Sequence, residues 1–282
     1  MIKSILVILI IFSSFIGWSQ SNDSTLSVLS WNIFLRPILN DNQKERVDSI
    51  SDYLLHSQAD VIIVQEAFHH KTRKRLIQNL STEYPFHSNI GPQGFFRISS
   101  GVIIFTKTAL LTEKHITFKK AKGIDGISKK GGVDVRLNSF DKSINIIGTH
   151  LQAGSGTKKD LIRASQYSQL NDTLTNPADV TIYCGDFNIR WNSSRYKHLL
   201  RTLSVYSDSI TSDHKFTANF NDHDLFNAEG NPEWIDFILL KNDSQAHFIK
   251  TFIEEPRYQI DNKKARVSDH NPIRSIISLK SH

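Results

Sequence analysis

The feature that most constrains this chain is a series of short apolar runs, each lying next to an ionisable or amide-bearing residue. Residues 59–64 (ADVIIV) run directly into Gln65 and Glu66, residues 143–149 into His150, and residues 180–184 through Gly185 into Asp186. Residues 26–31 lead to Asn32, the run at 234–239 contains Asp236, and the run at 273–279 follows Asp269 and His270. Apolar runs of roughly four to eight residues have the length of strands and fall far short of a membrane-spanning helix. Together with Gly101-Val102-Ile103-Ile104-Phe105 they predict a sheet-rich α/β body, because helical apolar spacing appears between them at 45–55, 72–80 and 160–174. In such a body strands fill the core, and the chemistry falls to strand ends and the loops after them. Pro272, which lacks an amide hydrogen, suits the start of the last strand rather than its middle.

The first 20 residues, MIKSILVILIIFSSFIGWSQ, follow a different logic. Lys3 precedes an apolar run from 5 to 11 that continues through Phe12, Phe15 and Ile16 before small and polar residues. This is the pattern of a secretory signal cleaved near Gln20 rather than of a retained anchor. It predicts a secreted or periplasmic protein whose working part is one domain over 21–282, since no tandem repeat or low-complexity linker divides that stretch. A hydrophobic fraction of 39% is enough for a sizeable core, which argues against a disordered chain. The single cysteine excludes an internal disulfide and a cysteine-rich zinc module, and its place in an apolar run makes Cys184 a buried strand residue rather than a nucleophile. The net charge of +6 favours anionic partners without choosing among nucleic acid, phospholipid and small phosphate esters. The apolar pattern is explained by burial within the fold, so no obligate protein partner is expected.

The polar residues beside the runs form a chemically coherent set. Glu66 offers a carboxylate to a hard divalent cation, and Asn32 offers a carboxamide oxygen, a hold on phosphate or a turn. In GDFN, Asp186 and Asn188 stand two apart, so both side chains can reach one side of a pocket. His150 can donate to a phosphoryl oxygen. In SDHNP, Asp269 is a candidate metal ligand and His270 a candidate general base near neutral pH, with Asp236 of EWIDF to orient it. Each residue alone also fits an ordinary surface charge, turn or hydrogen-bonded loop; their order reads as one active site through the resemblance that it carries.

The phrases SWN, VQEAF, GTHLQ, GDFN, EWIDFIL and SDHNP occur in that order across residues 32–270. In this the sequence resembles the endonuclease/exonuclease/phosphatase superfamily, and within it the bacterial neutral sphingomyelinases. Residues 125–131 (DGISKKG) resemble that branch's substrate-side segment. The resemblance implies an α+β fold of the DNase I-like kind: a four-layer αββα sandwich with two mixed sheets, forming a catalytic domain over 21–282. It implies hydrolysis of a phosphodiester with Mg2+, for which Mn2+ or Co2+ can substitute. Glu66 would bind the metal, with Asn32 and Asp269 around it. Asp186 and Asn188 would orient water and phosphate, His150 would stabilise the transition state, and His270 would act as base with Asp236 as its partner. Asp125, Lys130 and Asn188 would face the substrate. The implied substrate is sphingomyelin or a related phosphosphingolipid in a membrane, cleaved to ceramide and phosphocholine, with peripheral membrane contact. Nucleic acid or another phosphodiester is the alternative substrate, and a non-catalytic lipid-binding or adhesion module is the reading that would need no such residues.

Two departures stand out. Branch members often carry an acid just before the glycine of the strand that begins here at Gly101, where this chain has Ser99-Ser100. The carboxylate expected to orient His150 is therefore absent or supplied elsewhere. Residues 251–267 are charged and poor in aromatics, unlike the long aromatic hairpin of some relatives, which leaves Gly91-Pro92-Gln93-Gly94-Phe95-Phe96 as the candidate membrane contact.

Overall fold

A computed structural model describes residues 24–36, 42–91, 99–126, 129–173, 177–219, 231–260 and 263–280. The signal expected at 1–20, the aromatic candidate after Gly91, and Ile127 and Ser128 of the substrate-side segment lie outside the described residues.

The chain runs β1 (Ser24–Leu35), α1 (Gln43–Ser57), β2 (Val61–Ala67), α2 (His70–Leu80), β3 (Phe86–His87), β4 (Ile103–Thr106) and β5 (Leu110–Thr117). After a 3-10 turn at Gly123–Gly126 come β6 (Gly131–Ser139), β7 (Lys142–His150), α3 (Thr157–Thr173), β8 (Val180–Asp186), α4 (Ser194–Leu203) and β9 (Val205–Tyr206). The last third holds β10 (Asp236–Lys241), β11 (Ala246–Ile253), β12 (Arg257–Ile260), β13 (Lys263–Arg266) and β14 (Ile273–Leu279). The apolar runs become strands, and the last coincides with its predicted span. The polar strands β5, β6 and β11 and the helix α4 carry no such run and were not anticipated.

Two six-stranded sheets form, ordered β11-β14-β1-β2-β4-β3 and β5-β6-β7-β8-β10-β9, with β12 and β13 as a separate hairpin. Each sheet is mixed: β1 and β2 run parallel, as do β7 and β8, while β14 joins β1 and β10 joins β8 antiparallel. Alternation along β1 shows why two cores arise. Leu29, Trp31 and Ile33 face one way and pack with Val47, Ile50 and Leu54 of α1 and Leu76 and Leu80 of α2. Leu26 and Val28 face the other way and join the core that holds Val133, Val135, Ile144 and Ile146 of the second sheet. That core also takes in Tyr167 and Leu170 of α3 and Tyr196, Leu199 and Leu203 of α4, so helices cover the far side of the second sheet. The layers are helices, sheet, sheet, helices, the αββα arrangement the resemblance implied. Central strands buried on both faces explain why they read as continuous apolar runs. No helix among the described residues is long and apolar enough to cross a membrane.

Three buried arginines fix the end of this sandwich where the site lies. Arg46 of α1 donates to the carbonyls of Ile33 at 2.9 Å, Phe34 at 3.1 Å and Val267 at 2.8 Å, tying the end of β1 to the loop that carries Asp269 and His270. Arg73 of α2 donates to the carbonyls of Ala67 at 2.9 Å and Phe68 at 2.8 Å, just after Glu66. Arg266 donates to Asn271 Oδ1 at 2.7 Å and to the Asn219 carbonyl at 2.8 Å. A guanidinium is planar and carries five donors, so one side chain can satisfy several loop carbonyls that no ladder reaches.

Candidate active site

Strand register brings the site together. In the second sheet His150 of β7 pairs with Asp186 of β8, and Asp186 pairs with Asp236 of β10, so three functional side chains sit on neighbouring strands. In the first sheet Asn32 pairs with Gln65, one residue before Glu66. Glu66 and Asn188 take left-handed backbone conformations, with φ of 58° and 51°. Such geometry is uncommon for residues with a Cβ and occurs where a strand end is re-aimed. The loop after β13 supplies Asp269 and His270. Trp31 Nε1 donates to the His270 carbonyl at 2.9 Å, and Ser268 Oγ donates to the Asn32 carbonyl at 2.7 Å, locking that loop onto β1.

Asp186 is the centre. Its Oδ1 accepts from the Asn188 amide at 2.9 Å, and its Oδ2 accepts from Asn32 Nδ2 at 3.2 Å. The same Oδ2 lies 3.4 Å from His150 Nε2 and 3.8 Å from His270 Nε2. His270 Nδ1 and Asp236 Oδ2 form a 2.8 Å hydrogen bond, which the imidazole donates. Asp236 is anchored in turn by its own amide, which donates to Thr217 Oγ1 at 3.0 Å.

The two histidines titrate in opposite directions. Burial lowers the His270 pKa, but the charge of Asp236, its hydrogen bond, and the charges of Asp186 and Asp269 together outweigh that and raise it to about 10. For His150 burial and the neighbouring Lys130 act in the same direction, holding it well below the ordinary imidazole range. Lys130 Nζ donates to His150 Nε2 at 2.9 Å, and a lysine has only donors. His150 Nε2 is therefore the acceptor, and the neutral ring keeps its proton on Nδ1. Among the described residues that buried Nδ1 has no hydrogen-bond partner. Ser100, where a carboxylate was expected, instead donates to the Ile90 carbonyl at 3.2 Å. The missing acid is not replaced at Nδ1; the chain places a lysine at Nε2 instead.

Lys130 was expected to face substrate, yet all three of its N–H donors are engaged within the protein. Besides His150 it donates to the Leu151 carbonyl at 2.7 Å and pairs with Asp125 Oδ1 at 3.1 Å. Asp125 Oδ2 accepts from Gln152 Nε2 and the Ala153 amide, both at 2.6 Å, so Asp125 fixes the lysine beside His150. A phosphate can reach Lys130 only by displacing one of these partners. Asn188 Nδ2 donates to the Leu151 carbonyl at 3.3 Å, on the same side of the site.

The donor set fits a hard divalent cation. Among the described residues, Glu66 Oε2 and Asp236 Oδ1 are buried and accept no hydrogen bond, although Glu66 Oε2 is ion-paired with Arg36. Burial pushes the Glu66 carboxyl up, with Arg36 opposing and Asp269 adding, and burial with the charge of Asp236 raises Asp186 to about 7. Buried anionic oxygens with too few donors are stabilised by a cation. Ligand atoms of Asp186, Asp236 and His270 lie within 4.8 Å of one another. His270 and Asp236 are bonded to each other, however, so the oxygens that suit a hard ion are those of Asp186 and Glu66. Asn32 Nδ2 lies between these two carboxylates, 3.2 Å from Asp186 Oδ2 and 3.3 Å from Glu66 Oε1, while its oxygen accepts from the Phe34 amide at 3.2 Å. To coordinate a metal, the Asn32 carboxamide must turn over. Asp269 Oδ1 lies 3.3 Å from Ser268 Oγ, whose proton goes to the closer Asn32 carbonyl, and Asp269 reaches Glu66 through its charge. Arg36, whose Nε stands 3.3 Å from Glu66 Oε2, was not singled out in the sequence, because nothing in its neighbours distinguishes it from a solvated charge.

Residues 29–270 match the Endonuclease/Exonuclease/phosphatase family. The chain is 27% identical to a phospholipase C of Staphylococcus aureus over 91% of this chain and 88% of that one. It is also 27% identical to a sphingomyelinase C of Bacillus cereus over 93% of this chain and 91% of that one. The crystal structure of a Staphylococcus aureus beta toxin variant with bound magnesium ions has the same fold, with a TM-score of 0.77 at 24% identity, covering 91% of this chain and 100% of that one.

Proposed function

The chain belongs to the endonuclease/exonuclease/phosphatase family, and from that premise we propose that it is a metal-dependent phosphodiesterase cleaving sphingomyelin to ceramide and phosphocholine. The observation that carries this reading is the buried Asp236–His270 pair facing Asp186. With Nδ1 committed to Asp236, His270 has Nε2 to take a proton from water, and Asp236 stabilises the imidazolium that results. Water attacks phosphorus, the bond from phosphorus to the ceramide oxygen breaks, and that oxygen takes up one proton to leave as the alcohol, balancing the one that His270 removed from water. Asp186 and Asn188 orient the attacking water and the phosphate. Lys130 and His150 face the opposite side of Asp186, where the lysine's charge offsets the phosphoryl group.

Glu66 and Asp186, with Asn32 after its carboxamide turns and Asp269 beside them, would hold the metal. A divalent cation held there would supply positive charge to polarise phosphate oxygens and offset the anionic transition state. A histidine with a pKa of about 10 holds its proton at neutral pH, so His270 becomes a base only once the carboxylate charge around it is offset. The lipid assignment rests on the relatives named phospholipase C and sphingomyelinase C, each matched along most of its length. The signal read at residues 1–20 would deliver the domain outside the cytoplasm, secreted or periplasmic, to a phosphosphingolipid in a membrane.

The test is product formation. The purified chain is expected to release phosphocholine from sphingomyelin vesicles with Mg2+, to lose that activity in EDTA and to regain it on re-addition of Mg2+. Phosphatidylcholine and DNA serve as competing substrates. Faster turnover of DNA, or release of phosphocholine unaffected by EDTA, would overturn the reading.

A further inference from the structure

A lipid-cleaving enzyme must meet its substrate at an interface, and the hairpin between β12 and β13 is poorly suited to that. Across its turn the sequence is Asp261-Asn262-Lys263-Lys264, with no aromatic, and Tyr258 of β12 is buried. An aromatic surface lies elsewhere. Trp191 and Phe216 are 46% and 48% exposed and line the same groove, of about 460 Å3, together with Ile210, Pro232 and the edge of Trp234. Trp191 stacks on Trp234 with ring centroids 5.1 Å apart and planes 12° from parallel, so its orientation is fixed although nearly half of it is exposed.

Two cations flank the apolar floor. Arg190 pairs with Glu233, and Lys215 donates to the Ile210 carbonyl at 2.9 Å; both side chains are otherwise exposed. Rigid aromatics between cations match the layered chemistry of a bilayer surface, where aromatic rings lie at headgroup depth and cations face phosphates.

The groove is built on the backbone that carries the site. The Trp191 amide donates to the Trp234 carbonyl at 2.9 Å, and Trp234 Nε1 donates to the Asp236 carbonyl at 2.8 Å. Thr217, next to Phe216, accepts from the Asp236 amide, its carbonyl accepts from the Asn271 amide at 2.6 Å, and Ala218 bridges to His270. The aromatic surface and the catalytic pair thus share one scaffold of adjacent residues.

We propose that the groove of Trp191, Phe216 and Trp234, with Arg190 and Lys215 at its edge, is the surface by which this protein rests on a phospholipid bilayer. The proposal rests on the lipid-hydrolase reading and adds to it where the protein touches the membrane. Its test separates binding from chemistry. In EDTA, the W191A/F216A double variant is expected to bind vesicles of sphingomyelin and phosphatidylcholine about tenfold more weakly than the wild type, the order of effect for losing two half-buried aromatic contacts. With Mg2+, its turnover of a water-soluble chromogenic phosphocholine ester should equal that of the wild type, which also shows that the variant is folded. Wild-type tryptophan fluorescence should be quenched by lipids brominated near the headgroup and less so in W191F, which keeps only the mostly buried Trp234 in the groove while Trp31 is fully buried.

Equal vesicle binding by wild type and double variant, or no quenching by brominated lipid, overturns the proposal and leaves the phosphodiesterase reading intact. Quenching and vesicle binding without hydrolysis of either substrate supports the surface and overturns the chemistry instead. A wild-type dimer that the double variant abolishes would assign the groove to self-association and overturn the lipid proposal.

Discussion

His150 and His270 are both buried, both end within 4 Å of the same Asp186 oxygen, and differ in charge at neutral pH, His270 cationic and His150 neutral. Their burial is alike, so burial cannot separate them; their other neighbours do. His270 has Asp236 as an acceptor at Nδ1 and further carboxylate charge around it, and it keeps its proton against burial. His150 has an unpartnered Nδ1 and an ammonium at Nε2, and it is neutral. Two identical side chains on either side of one carboxylate thus become an acid–base group and a fixed dipole, through what stands behind each ring.

The most direct way to break this contrast is to remove the acceptor. Asp236→Asn keeps the shape of the site but takes away the anion that stabilises the His270 imidazolium. Turnover on sphingomyelin should fall by about 100-fold or more, within the range general-base catalysis supplies, with little change in KM. The His270 pKa, followed by NMR of the metal-free protein, should drop from about 10. An unchanged pKa would show that Asp236 is not what separates the two rings.

The opposite substitution sharpens the other half. Lys130→Met removes the ammonium at Nε2 of His150 while keeping most of the side-chain volume. The His150 pKa should rise yet stay below the ordinary imidazole value, because burial remains as the larger cause. Turnover should fall by about 10–100-fold, the usual effect of losing a partner that positions a catalytic group. Rescue by Lys130→Arg would argue for charge alone; failure of that rescue would argue that one donor must point at one nitrogen.

Much of this was legible in the sequence because continuous apolar runs mark strands buried on both faces, and the residues beside them mark the rim. That logic located β1, β2, β4, β7, β8, β10 and β14 and, with them, Asn32, Glu66, His150, Asp186, Asp236 and His270. It was blind to β5, an edge strand with a run of four polar residues, and to β6, whose polar and apolar residues alternate so that one face meets water. It was equally blind to Arg46 and Arg73, which read as ordinary helix-surface charges until the fold turns them onto the carbonyls behind the site. Among the described residues no carboxylate meets His150 Nδ1, one of the two outcomes that Ser99-Ser100 left open. That Lys130 would stand on the other nitrogen of His150 depends on a contact between β7 and the residue before β6, which no local pattern encodes.

The smallest effect tests whether the carboxylates around the two rings await a cation. Asp186 titrates near 7 in the folded protein against an ordinary value of 3.8, so between about 4 and 7 the folded chain holds a proton that the unfolded chain has released. Stability contributed by that proton is full at low pH and is lost as pH rises through 7. His270, raised from 6.5 to about 10, acts in the same sense at higher pH: its contribution is full below about 6.5 and is lost towards 10. Mg2+ competes with the proton on Asp186, so it should add little to the melting temperature at pH 5 and progressively more up to pH 8. Thermal melts with and without Mg2+ across that range measure this directly. In Asp186→Asn the rise of the Mg2+ effect with pH should flatten, whereas in Asp236→Asn it should persist at a lower pH, because the charge that pushes Asp186 up has gone. A Mg2+ effect equal at pH 5 and pH 8 in the wild type would mean that the ion binds away from Asp186, and that the two histidines do not flank a metal at all.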